Sequence, residues 1–263
     1  MHDWLQSLVL VLLCAGCGGV GAVLGLGGGM LVVPLLVFGW GMELSQAAAT
    51  SLVGCLATSA GGSLGLERAN RVDAAVVAEL EVFAAAGALL AASLALRIPS
   101  AVLAALFAAV SLLAAWRILQ RELLRGTAPG PSVEPRAPGR LRQAAAWALA
   151  FLAGGLSSLL GIGGGPVKVP LQTELLGLSL PVALANSNLM VGITSAFGAA
   201  VYYGSGQLRP EETAAACVGM AGGSYVGGRL VPYLRVRWLA AAFVLVLGYL
   251  AVRMLWKAIG SAS

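Results

Sequence analysis

The residue of greatest chemical interest in this sequence is Lys168, because it lies within an apolar, glycine-rich segment, residues 161–171, which reads GIGGGPVKVPL. A lysine near a bilayer centre costs roughly 2.5–3.5 kcal/mol on insertion scales, and a bound anion would offset that cost. Two explanations need no ligand: the amine snorkels to the membrane surface, or it pairs with Glu174. Lys168 is therefore a candidate for binding the charge of an anionic ligand.

The segment around Lys168 occurs twice. Residues 25–35, GLGGGMLVVPL, precede it by 136 positions with 7 of 11 residues identical, and Val32 stands where the second copy has Lys168. Glycine allows the positive-φ backbone of a helix break, and the short helix that follows presents free N–H groups to an anion. Close helix packing is the alternative. Paired broken helices indicate a transport site, and its candidate residues here are Gly27, Gly28, Gly29, Gly163, Gly164 and Gly165.

Uncharged polar residues follow each glycine segment at matching positions. Their hydroxyl and amide groups can donate hydrogen bonds to oxyanion oxygens without adding charge. Helix packing is the simpler role for each of them taken alone. The candidates for lining the site are Thr50 and Ser51 in the first half, and Asn186, Ser187 and Asn188 in the second. Weaker candidates lie two turns further along, at Thr58, Ser59, Thr194 and Ser195.

Two acidic residues, Glu79 and Glu81, fall early in a predicted span of the first half and have no acidic counterpart in the second. Either could carry a coupling proton if it is buried. The alternative is a position at the membrane interface, near Asp73.

Metal, cofactor and enzyme chemistry are not expected. The sequence has one histidine, so no metal-ligand set can be assembled. No strand precedes the glycines, which excludes a dinucleotide-binding loop. A membrane enzyme that uses Cys14 and Cys17 is an alternative, although both cysteines lie within an apolar run.

Composition identifies an integral membrane protein. Hydrophobic residues make up 59% of the chain and charged residues 10%, with a mean hydropathy of +0.90; soluble domains carry roughly 25% charged residues. The net charge of +5 comes from arginines clustered between apolar runs. These indicate topology rather than a nucleic-acid partner.

The apolar runs divide one transmembrane domain, residues 1–263, into repeat 1 (5–119), a linker (120–142) and repeat 2 (143–257). We predict an all-α fold with about eight spanning helices and, in each repeat, a glycine-broken helix or re-entrant hairpin. Six arginines from Arg117 to Arg142 place the linker in the cytoplasm.

The relative orientation of the repeats follows from the glycine breaks. Residues 5–24 are long enough for a full span, which favours parallel repeats. Transporters with broken helices commonly have inverted repeats with sites at the midplane. We expect inverted repeats, although the distribution of basic residues fits both arrangements.

The paired G-[LI]-G-G-G and V-P-L motifs, each leading into a small-residue helix with A-x-S, resemble the sulfite exporter TauE/SafE family of membrane proteins. The resemblance implies a transporter of sulfite, thiosulfate, sulfoacetate or other organosulfonates in the cytoplasmic (inner) membrane. Its partners would be the anion, the lipid bilayer, and H⁺ or another coupling ion, because the sequence has no nucleotide-binding motif. The residues alone indicate an anion-favouring midplane site. A passive anion channel is the alternative.

Overall fold

The fold is all-helical in a computed structural model that describes residues 3–63, 72–120, 139–230 and 236–260. Ten α-helices are present in these ranges, and a π-helical turn, Leu171–Leu175, continues the seventh. The helices are α1 Asp3–Leu24, α2 Gly29–Gly39, α3 Leu44–Ser63, α4 Ala74–Ala95, α5 Ser100–Ile118, α6 Arg140–Leu160, α7 Gly165–Pro170, α8 Leu180–Gly204, α9 Pro210–Leu230 and α10 Val236–Gly260. The predicted all-α class is confirmed.

Helix boundaries in the second half follow those in the first at the sequence offset of 136. The helices α2, α3, α4 and α5 begin at residues 29, 44, 74 and 100, and their counterparts α7, α8, α9 and α10 begin at residues 165, 180, 210 and 236. The observed bounds are therefore compatible with two repeats of one plan.

Parallel packing joins α1 to α9. Ala15 lies against Gly219 and Gly19 against Gly223, so contacting residues advance together along the two helices. The corresponding contact in the other half, between α6 and α4, is also parallel. In both, backbones touch because glycine has no side chain.

Antiparallel packing joins α3 to α8 across the middle of the molecule. Gly62 lies against Asn188, whereas Leu52, ten residues earlier on α3, lies against Gly198. The helix α9 runs parallel to α3, and α4 runs parallel to α8. Matched helices of the two halves therefore run in opposite directions, an arrangement compatible with inverted repeats.

The glycine segments break the helices where the sequence predicts. Gly25, Gly27 and Gly28 have φ of 71°, 78° and 80°, and their counterparts in the second segment have 71°, 78° and 75°. These left-handed values strain every residue that carries a Cβ. Gly28 and Gly164 are the N-caps of α2 and α7.

The two breaks meet each other. A Cβ on Gly29 would lie 2.4 Å from the Gly161 carbonyl oxygen, and one on Gly165 would lie 2.6 Å from the Gly25 carbonyl oxygen. Backbone-to-backbone contact between the halves therefore requires glycine at these positions. This agrees with the alternative interpretation, in which the glycines serve close helix packing.

Six of the described helices are long and apolar enough to cross a membrane: α1, α4, α5, α6, α8 and α10. The helices α3 and α9 have 20 and 21 residues but are richer in small residues. Large side chains such as Tyr203, Leu245 and Trp256 are about three-quarters exposed, which suits a lipid-facing surface. The chain is a multi-pass membrane protein.

Most of the predicted linker, residues 120–142, lies outside the described part of the chain. The helix α6 begins at Arg140, so the last three residues of the predicted linker form its first turn. Residues 121–138 lie outside the described residues.

Candidate functional site

Lys168 lies at the centre of a buried polar cluster formed by three helices. Its amine on α7 donates to Glu81 Oε2 on α4 at 3.2 Å and to the Met190 carbonyl oxygen on α8 at 2.9 Å. It also donates to Thr194 Oγ1, and the Thr194 hydroxyl donates to Glu81 Oε1. All three donors of the ammonium group are therefore occupied.

The cluster is sealed from solvent. The Lys168 and Glu81 side chains are 1% and 6% exposed, and Thr194 is fully buried. A buried charge is tolerated only when it is paired and hydrogen-bonded. Lys168 thus neither reaches the surface by snorkelling nor pairs with Glu174, which instead forms an exposed ion pair with Arg117 at 2.8 Å.

The cluster joins Glu81 of repeat 1 to Lys168 and Thr194 of repeat 2, and the described residues contain no second copy of it at the repeat-related positions. At the positions related by the 136-residue offset, Lys168 is matched by Val32, Glu81 by Cys217 and Thr194 by Thr58. The Thr58 hydroxyl donates to the Gly54 carbonyl oxygen of its own helix at 3.0 Å. The buried ion pair is therefore next to the second glycine break and has no charged counterpart at the matching positions, Val32 and Cys217.

The two glutamates predicted as proton carriers differ in environment. Glu81 is buried against Lys168, whereas Glu79 is exposed and accepts hydrogen bonds from Gln143 and from Trp147 Nε1, the latter at 2.7 Å. Burial therefore distinguishes one candidate from the other.

Ser51 is the polar candidate in contact with the breaks. Its hydroxyl donates to the Gly161 carbonyl oxygen at 2.7 Å and lies 3.5 Å from the Gly29 carbonyl oxygen. Next to it, Cys55 Sγ lies 3.3 Å from the Gly27 carbonyl oxygen. These bonds satisfy carbonyl groups that a broken helix leaves free.

The other polar candidates in this group join pairs of helices. Thr50 lies 3.1 Å from Thr213 on α9, and Asn186 Oδ1 accepts a 2.8 Å hydrogen bond from the Asp73 amide at the start of α4. Asn188 donates to the Ser59 carbonyl oxygen at 3.2 Å. These bonds fit the helix-packing alternative, and the two asparagine bonds hold α8 beside both α3 and α4.

Three buried polar atoms on α8 have no hydrogen-bond partner among the described residues: Asn186 Nδ2, Ser187 Oγ and Ser195 Oγ. All three can donate a hydrogen bond. Buried polar groups are rarely left unpaired, so each such group needs an explanation. These donors belong to the helix that supplies Met190 and Thr194 to the Lys168 cluster.

A cavity of about 410 Å³ lies away from these residues. It is bounded by the ends of α2, α4 and α10 and the starts of α3 and α5, at the face where α3 begins. Its polar lining includes Glu43, Ser45, Gln207 and Lys257.

No group of three His, Cys, Asp or Glu side chains within metal-binding reach occurs in residues 3–63, 72–120, 139–230 and 236–260. Cys14 and Cys17 are unpaired cysteines within α1.

Sequence reasoning named Lys168, Glu81 and Thr194 separately but did not join them. One sequence pattern could have joined them: two of the three are charged residues whose repeat-related positions are uncharged. Lys168 is matched by Val32, and Glu81 is matched by Cys217. Gln172 and Met190, which contact Lys168, carried no signal.

Comparison with known proteins fits this architecture. A family model described as Sulfite exporter TauE/SafE matches residues 8–254. Two curated relatives, each described as "Probable membrane transporter protein MamO", come from Magnetospirillum gryphiswaldense and Paramagnetospirillum magneticum, and each is 35% identical over 107 residues. That match covers 38% of this chain and only 17% of each relative. No solved structure matches the chain. Because the family model covers nearly the whole sequence, including both glycine breaks, the chain belongs to the sulfite exporter TauE/SafE family.

Proposed function

We propose that this chain is a secondary transporter that carries small sulfur-containing anions across the cytoplasmic membrane and binds their charge at Lys168. The observation that carries the proposal is the full burial of Lys168 beside a broken helix, next to a helix with unpaired donors. A buried cation can bind the charge of an anion that passes through the site. The family's description as sulfite exporters supports the choice of substrate class.

The substrates that we propose are sulfite, thiosulfate, sulfoacetate and other organosulfonates. Each presents several oxygen acceptors around one sulfur, so each can accept from a lysine and from neighbouring neutral donors together. Asn186, Ser187 and Ser195 supply such donors on α8. Three further side chains would line the path of the anion once their present contacts between helices break: Thr50, Ser51 and Asn188.

The glycine breaks add backbone donors. The first hydrogen bonds of α2 run from the Leu31 and Val32 amides to the Gly28 carbonyl oxygen, and the same pattern occurs at Gly164. Amides that precede these bonds lack a partner within the helix. We propose that the amides of residues 27–29 and 163–165 contact the anion in transit.

Transport would proceed by alternating access. The two breaks meet between halves whose matched helices run in opposite directions, so one motion can close one face while its counterpart opens the other. The cavity at the face where α3 begins would serve as a vestibule.

The test uses the purified full chain in proteoliposomes that are loaded with unlabelled anion. Labelled sulfite, thiosulfate, sulfoacetate and sulfate are offered outside, and saturable counterflow is measured. We expect the three family-type anions to exchange faster than sulfate. Lys168→Ala should abolish exchange, whereas Arg142→Ala, which removes an exposed charge at the start of α6, should leave it unchanged.

Two results would contradict the proposal. Unchanged exchange in Lys168→Ala would remove the lysine from the site. Large single-channel currents without saturable counterflow would identify a passive anion channel instead.

A further inference from the structure

We infer that the Glu81 carboxylate occupies the position on Lys168 that the anion takes during transport. Each anion therefore enters the site together with one proton, which neutralises Glu81. This inference rests on the proposed function, in which Lys168 binds the anion. It assigns the coupling ion.

The hydrogen bonds of Lys168 determine what an anion must displace in order to bind. Its three donors are taken by Glu81, Met190 and Thr194, so an anion can bind only when one of them is released. The Met190 carbonyl and the Thr194 hydroxyl are neutral and hold the amine in place. The Glu81 carboxylate is the partner that competes with an anion, because both are negative acceptors for the same ammonium group.

Charge balance in the buried cluster couples the anion to a proton. The resting cluster is neutral, because one ammonium faces one carboxylate at 3.2 Å. When a proton converts Glu81 to the carboxylic acid and a monovalent anion pairs with Lys168, the cluster is neutral again. An anion that arrived alone would leave a buried net charge, which is strongly unfavourable in the membrane. A divalent anion, such as thiosulfate or sulfoacetate at neutral pH, would need one further positive charge, a second proton, for the cluster to be neutral again.

Few other charges bear on Glu81. The α7 segment contributes Lys168, and α8 has no charged residue. On α6, Arg140 and Arg142 are exposed in the first turn of that helix. On α4 itself, Glu79 is exposed and hydrogen-bonded to α6, and Asp73 caps the helix. Lys168 is thus the charged partner of Glu81 in the described part of the chain.

Glu79 provides a matched control for Glu81. The two residues have the same chemistry and lie two positions apart on α4, but Glu79 is exposed and makes no contact with Lys168 among its described hydrogen bonds. Glu79→Gln therefore removes a carboxylate from the same helix without touching the ion pair.

The experiment uses the full chain in proteoliposomes that contain a pH-sensitive dye. Methanesulfonate is the probe, because it stays a monovalent anion across the usable pH range and brings no proton of its own. With wild-type protein, an acidic outside should drive methanesulfonate accumulation and acidify the lumen at one proton per anion. Glu81→Gln should lose accumulation and lumen acidification, and the counterflow that it supports should be independent of pH. Glu79→Gln should behave as wild type.

The outcomes separate the two proposals. Saturable counterflow by wild-type protein without proton movement would overturn this inference and leave the proposed function intact. Proton-driven accumulation in Glu81→Gln would also overturn it. Absence of counterflow for methanesulfonate, sulfite and thiosulfate alike would overturn the proposed function, and this inference with it. The wild-type dye measurement decides the matter even if Glu81→Gln does not fold.

Discussion

Lys168 Nζ and Glu81 Oε2 lie 3.2 Å apart in an ion pair that is almost completely buried and joins α7 to α4. The two residues are 87 positions apart and belong to different halves of the chain. The pair therefore ties the second glycine break to a helix of the first half, and its rupture would free that break to move.

Removing one member of this pair should destabilise the protein more than removing both. Lys168→Met leaves a buried, unpaired carboxylate and should cost about 3–5 kcal/mol, whereas Lys168→Met with Glu81→Met should return most of that loss. Unfolding in detergent measures stability, and counterflow should be absent in both variants. Equal stability of the single and double variants would contradict the pairing.

Thr194→Val should impair transport because the hydroxyl bridges Lys168 and Glu81. Hydrogen bonds to charged groups contribute about 1.5–3 kcal/mol, so counterflow should fall by about tenfold or more. The control is Thr58→Val at the matching position, where the hydroxyl donates to the Gly54 carbonyl oxygen of its own helix. A similar loss in both variants would argue against a special role for Thr194.

Ser51→Ala should destabilise the fold by about 1–3 kcal/mol, because the Gly161 carbonyl loses a buried donor 2.7 Å away. The matched change, Ser187→Ala, removes a hydroxyl that has no hydrogen-bond partner in the described part of the chain, and it should leave stability nearly unchanged. Ser187→Ala should instead weaken anion exchange. Thermal unfolding of the two variants side by side gives the comparison, and equal losses would contradict it.

Gly223→Ala and Gly222→Ala should differ sharply although the residues are neighbours on α9. A Cβ on Gly223 would lie 1.9 Å from the Ala15 carbonyl oxygen, so the packing of α1 on α9 must shift, at about 1–3 kcal/mol. A Cβ on Gly222 meets nothing within 4 Å. That variant should gain up to about 1 kcal/mol from helix propensity. Unfolding midpoints measure both effects, and a stable Gly223→Ala would contradict the close contact.

Cysteines at Glu43 and Ser179 should be labelled from opposite sides of the membrane. Both are exposed residues just before α3 and α8, which run antiparallel. In a variant whose native cysteines are alanine, an impermeant thiol reagent applied to sealed right-side-out vesicles should reach Glu43→Cys only. Ser179→Cys should react from the cytoplasmic face, on the side of the linker. Labelling of both from one side would exclude inverted repeats.

Much of the architecture was predictable because it depends on local properties of the chain. Apolar runs of about 20 residues must form helices in a bilayer, and the positive φ values fall at glycines in both breaks. The order of halves, breaks and spans therefore follows from the positions of apolar residues and glycines. The relative direction of the repeats does not follow from the basic residues, because their distribution fits both parallel and inverted repeats. It follows from contacts between helices, such as that of Leu52 with Gly198.

The sequence by itself determined that this is a membrane protein with two matched glycine breaks and a lysine beside one of them. Only the tertiary structure decided which acidic residue neutralises that lysine. Glu79 and Glu81 are two positions apart, so they lie about 200° apart around the helix axis and face opposite ways. Which face meets Lys168 depends on how α4 packs against α6 and α8, and local sequence does not encode that packing.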